Sequence, residues 1–125
     1  MQKRSLFGLA TGALAVVASS GAAAHHGWSG QETTQSELSG TVHSPVDFAG
    51  PHATMQIRDA SGRIWDLTLS PPSRTRRAGL EEDTIPVGAP VTVRGNRNSN
   101  PDRFEMKTVR VTYDGQNFDV YPSRN

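Results

Sequence analysis

The sequence predicts an all-β fold, a small barrel of five to six strands with one short helix or helical turn, and three observations carry that prediction. Apolar residues recur at every second position from Leu38 onward, the period of a half-buried strand. Turn-forming residues punctuate these runs at short intervals. The chain is short enough for a single domain with one modest core. Closing so few strands into a barrel removes the sheet edges that invite aggregation. An oligonucleotide/oligosaccharide-binding (OB) type barrel is the first choice, and a small sandwich the alternative, because strand count does not fix topology.

The elements follow in order. Leu38-Ser39-Gly40-Thr41-Val42 opens the first strand. Ala53, Met55 and Ile57 form the next inward face, with Thr54, Gln56 and Arg58 outward. Asp59-Ala60-Ser61-Gly62 reads as a turn. Trp65, Leu67 and Leu69 then alternate with Asp66 and Thr68, as a hairpin partner would. After Pro71-Pro72, the segment Ser73 to Leu80 is expected to hold the helical turn, with Ser73 as its cap and Gly79 near its end. Val91 and Val93 mark a further strand, followed by a loop from Asn96 to Asp102. Val109, Val111 and Tyr113 alternate along the next, and Asp114-Gly115, a strong hairpin signal, turns into a last strand carrying Phe118 and Val120.

The N-terminus has the three parts of a signal peptide over residues 1–24: basic Lys3 and Arg4, an apolar run from Leu6 to Val17, and small residues from Ser19 to Ala24. The run is too short for a transmembrane helix, so no membrane span is expected in the mature chain. Ala22 and Ala24 place the cut before His25, while Gly21 and Ala23 would place it before Ala24. Residues 25–37 then form an N-terminal arm and 38–122 the barrel. A periplasmic or secreted location follows. With no cysteine in the sequence, disulfides, thiolate metal sites, a lipid-modified cysteine and covalent haem attachment have no residue to use.

Losing Lys3 and Arg4 with the leader lowers the basic residues from 13 to 11 against 12 acids, so the mature net charge is −1 rather than +1. Nucleic-acid binding, which neutralises phosphates with a strongly basic domain, loses its support.

Several motifs together carry a family resemblance. They are His25-His26-Gly27-Trp28 after the leader, Gly40-Thr41-Val42, Pro51-His52 and Gly62 with Trp65-x-Leu67-x-Leu69. Arg77-x-Gly79-Leu80, the run from Pro86 to Arg97 with Gly88 and Gly95, and Asp114-Gly115 complete the series. In this order the chain resembles an uncharacterised family of small exported bacterial proteins, domain of unknown function 6152. The resemblance covers nearly the whole mature chain and implies export and a small β domain, with no activity to carry over. His25, His26 and His52 match its pattern and His43 does not. Gly50 stands where the family usually has Asn before Pro-His, with about one extra residue between Val42 and Pro51, so the resemblance does not fix the local geometry of His52.

Neutral imidazole suits Cu(II), Ni(II) and Zn(II). A chain starting at His25 would chelate copper through its terminal amine and its own imidazole, with His26 or His52 completing a three-nitrogen brace. A chain starting at Ala24 has His26 in third position, which permits a square-planar site from the amine, two backbone amide nitrogens and the imidazole; a start at Ala23 does the same with His25. The competing reading is adventitious binding by an exposed polar terminus. Trp28 would shield such a site or anchor the arm to the barrel. His43 alternates with Val42 and is expected to be an exposed strand residue, and Met55 and Met106 to be core.

Arg74, Arg76 and Arg77 offer a possible anion or partner contact, although Glu81-Glu82-Asp83 follow at once and mutual pairing is favoured. No nucleophile elbow, phosphate-binding glycine loop or zinc-protease helix is present. The expectation is therefore a non-enzymatic copper-binding protein for carriage, buffering or delivery, with copper as cofactor and another periplasmic protein as a possible partner. The rival is a metal-free binding module for an envelope glycan, peptide or protein, using the face bearing Trp65 or the Arg74 to Arg77 segment. A histidine brace can also activate oxygen, but no substrate surface is legible for an oxidase.

Overall fold

The computed structural model describes residues 28–125; the signal-peptide segment, His25 and His26 lie outside them. Six strands, β1 (Ser36–Asp47), β2 (Thr54–Asp59), β3 (Ile64–Thr68), β4 (Pro90–Arg97), β5 (Glu105–Tyr113) and β6 (Gln116–Asp119), are joined by one helix, α1 (Pro72–Arg77), and end in a 3-10 turn, Pro122–Arg124. No helix among the described residues is long and apolar enough to cross a membrane.

The barrel closes. β1 pairs antiparallel with β2 and with β4, β2 with β3, and β4 with β5, and β3 runs parallel to β5 to complete the ring. Five strands in the order β1-β2-β3-β5-β4, with the helix between β3 and β4, make the OB-type barrel, and β6 adds a hairpin to β5. The long β1 makes this possible: Ser36 to Thr41 pair with β4, while Gly40 to Asp47 pair with β2 through two register shifts that bend the strand. Pro45 lies in the second of those irregular stretches, where a missing N–H is tolerated.

The predicted alternation holds. Ala53, Met55 and Ile57 on β2, Trp65, Leu67 and Leu69 on and after β3, Val91 and Val93, Val109 and Val111, and Phe118 and Val120 all point into one core, with Met106. Two close backbone approaches require glycine. A Cβ on Gly40 would lie 2.3 Å from the Arg58 carbonyl oxygen, and one on Gly95 2.1 Å from that of Lys107. Asp114 and Gly115 both have positive φ, 52° and 76°, as a two-residue hairpin turn of type I′ demands.

Two boundaries differ from the sequence reading. Ser73 does not cap α1: the N-cap is Pro71 and Pro72 opens the helix, because proline's fixed φ and missing N–H suit the first helical position. At the other end Gly79 behaves as expected, at φ 109°, with its N–H bonded to Arg76 O and that of Leu80 to Thr75 O, a Schellman closure. β4 continues through Asn96 and Arg97 because these pair with Lys107 and Met106, so the loop begins at Asn98.

Candidate functional site

The outward residues of β1, β2, β3 and β5 frame an open groove of about 1090 Å3. Its floor is a polar ladder set by strand register: Ser44 opposes Gln56, Gln56 opposes Asp66, and Asp66 lies beside Glu105. Ser44 Oγ donates to Gln56 Oε1 (2.9 Å), and Gln56 Nε2 donates to Asp66 Oδ1 (2.7 Å). These side chains point outward for the reason that Met55 and Leu67 point inward. Glu105 is engaged elsewhere, paired with Arg103 (3.1 Å) and accepting from Asn98 Nδ2 (2.9 Å).

His52 lines this groove from the β1–β2 loop. It is partly buried, and burial together with the Lys107 charge holds its pKa below the ordinary 6.5, favouring neutral imidazole. Lys107, two residues beyond Glu105, also lines the groove yet is only 6 % exposed. Its covering comes from far away in sequence. The Nζ lies 5.4 Å from the Trp28 ring centroid and 5.8 Å from that of Tyr121, and those rings meet edge to face at 5.1 Å. Burial, with the nearby Arg124 guanidinium, pushes the Lys107 pKa down. Arg124 itself stacks on Trp28 at 3.9 Å.

The N-terminal arm is thus fastened to the barrel from Trp28 onward. Glu32 N–H donates to Arg97 O (2.7 Å), Gln31 bridges to Asn98, and Gln31 reaches the groove. Of the two roles open to Trp28, anchoring the arm is visible in these contacts; shielding concerns His25 and His26, which lie outside the described residues. Among the described residues no three His, Asp or Glu side chains converge as a metal-binding group.

His43 is exposed on β1, 3.3 Å from an Arg58 guanidinium nitrogen, and does not line the groove. Arg76 pairs with Glu81 (3.2 Å) and stacks on Phe48 (3.9 Å). Arg74 and Arg77 border a second, smaller cavity of about 370 Å3 with Asp119 and Pro122. Trp65 is 3 % exposed, its Nε1 donating to Asp59 and its ring covered by Phe104 and Arg97. The Trp65 ring itself is therefore not open to a stacking ligand.

The sequence reading named His52 but passed over Lys107, Gln31, Gln56 and Glu105. The ladder had a usable signal, since Ser44, Gln56 and Asp66 are outward positions on successive strands. Lys107 had none, because the rings that bury it lie at either end of the chain.

The family model described as "Family of unknown function (DUF6152)" matches residues 13–107. Nothing among curated proteins and nothing among solved structures matches the chain.

Proposed function

The chain belongs to the family of unknown function DUF6152, and from that premise we propose that it is an exported, non-enzymatic copper-binding protein. It holds the ion through its N-terminal amine, His25 and His26, with His52 as a further ligand, and serves copper carriage, buffering or delivery. The observation that carries this reading is the anchoring of Trp28 beside Lys107, at the groove that His52 lines. His26 lies two residues before Trp28 in the sequence.

His52 is neutral at neutral pH and so has a free nitrogen to offer a metal. Asp47, Asp66 and Glu82, carboxylates on the groove walls besides the Arg103-paired Glu105, outnumber the Lys107 ammonium, a field that attracts divalent ions. A metal-free binding module is the second reading. It is supported by the Ser44–Gln56–Asp66 ladder, which lies on the β2–β3 face that OB-type barrels use for ligands.

Copper affinity of protein exported with its own leader, measured by competition with a weak chelator, tests the proposal. Wild type should retain one equivalent, His25→Ala/His26→Ala should lose it, and His52→Ala should weaken it by at least about tenfold, or 1.4 kcal/mol. Failure of wild type to compete, or full retention by the double variant, would overturn it.

A further inference from the structure

We propose that the groove recognises a small zwitterion, an amino acid or short peptide with free ends, with its carboxylate on Lys107 and its amino group on Asp66. The inference is independent of the copper reading and starts from a buried charge. Lys107 is more than nine-tenths buried, lines the groove, and has no salt bridge among the described residues. Residues 1–27 contain neither Asp nor Glu, so that segment has no side-chain carboxylate to offer. The neighbours described around the ammonium are two aromatic faces, the His52 imidazole and another cation, Arg124. A buried charge without a counter-ion is costly, and Lys107 is among the residues that line the groove.

The opposite charge sits at a defined distance. Thr68 pairs with Lys107 and Asp66 with Glu105, so Asp66 and Lys107 are diagonal neighbours on adjacent strands, with backbone positions roughly 8 Å apart. Asp66 is exposed, aimed by Gln56, and free of any salt bridge among the described residues, whereas Glu105 is occupied by Arg103. A ligand whose amino and carboxylate groups lie a few ångströms apart, with a hydrogen bond at each end, spans that gap. Gln31, which lines the same groove, has its Oε1 buried without a partner among the described residues. The charge pattern selects between ligand classes. A polyanion would meet Asp47, Asp66 and Glu82 on the groove walls. The volume lies just above the roughly 300–1,000 Å3 of small-molecule sites and suits a short peptide.

The test uses metal-free full-length protein with EDTA present, titrated with trialanine, its N-acetyl form and its C-terminal amide while amide chemical shifts are followed. Trialanine should shift groove residues, and each blocked form should bind at least tenfold more weakly. Lys107→Met should cease to distinguish the free acid from the amide, and Asp66→Asn the free amine from its acetyl form. Thermal unfolding verifies that both variants fold, with Lys107→Met expected to be at least as stable as wild type. With EDTA present no copper is bound, which separates this site from the metal site, and His43→Ala, outside the groove, should bind trialanine unchanged. No shift at roughly 10 mM peptide, equal binding of all three peptides, or loss of binding in His43→Ala would overturn the proposal.

Discussion

Replacing Gly95 with alanine should damage the barrel more than any other single-methyl change, because the strand pairing that builds the groove leaves no room there. The added Cβ would lie 2.1 Å from Lys107 O, 2.9 Å from its carbonyl carbon and 2.9 Å from Thr108 Cα. All three are backbone atoms of β5, so no side chain can rotate away. An ordinary contact needs about 3.4 Å or more, which forces β4 and β5 apart by over an ångström in the middle of their ladder. Overpacking of this kind costs about 1–3 kcal/mol and occasionally more, and rigid backbone neighbours put Gly95→Ala at about 3 kcal/mol or above. With a urea m-value of about 1–3 kcal/mol/M for a small domain, the midpoint should fall by at least about 1 M. Gly50→Ala is the control: its Cβ would meet only His52 O, at an ordinary 3.5 Å, and stability should stay within about 0.5 kcal/mol. Equal midpoints for the two variants would refute the β4–β5 register, and with it the position of Lys107 in the groove.

Trp28→Ala should cost about 1–3 kcal/mol in denaturant unfolding, since the ring packs on Tyr121 and under Arg124 but is only half-buried; an unchanged midpoint would mean that the arm is not docked. His52 should titrate below 6.5 by NMR, and Lys107→Met should move it back toward 6.5, because one of its two perturbing causes is removed. The sign for stability follows. A histidine with a lowered folded pKa binds fewer protons folded than unfolded, so its penalty is full at acid pH and disappears as pH rises toward 6.5. His52→Ala should therefore flatten the acid limb of the stability curve in that window, and an unaltered limb would contradict the assigned environment.

Much of the barrel was legible because it is locally encoded. Ala53-x-Met55-x-Ile57 and Trp65-x-Leu67-x-Leu69 alternate cleanly, and Asp114-Gly115 has the residues a type I′ turn demands. Closure of the barrel was expected only from the need to hide edges, and the parallel β3–β5 contact that achieves it was not legible, since no local pattern encodes a pairing between Asp66 and Glu105. The helix start was misread because Ser73 is a good cap by type, yet the tandem prolines already set the backbone for Pro72. In the site, His52 was visible as an imidazole beside a proline. Lys107 was not, because strand alternation at Glu105-x-Lys107 suggests an exposed residue. Its burial depends on Trp28 and Tyr121 arriving from opposite ends of the chain. Burial created by distant rings leaves no periodic trace.

The most direct measurement is electron paramagnetic resonance of the processed, Cu(II)-loaded protein, counting coordinated nitrogens in wild type and in His52→Ala at neutral pH. Copper held by the N-terminal amine, His25, His26 and His52 should give a single nitrogen-rich site at one equivalent that loses one imidazole nitrogen in His52→Ala and releases its metal as pH falls below about 6, when amine and imidazoles take up protons. A spectrum identical in both proteins would remove His52 from the site, and a signal no different from copper with the isolated N-terminal peptide would reduce the binding to an exposed polar terminus and overturn the proposed copper function.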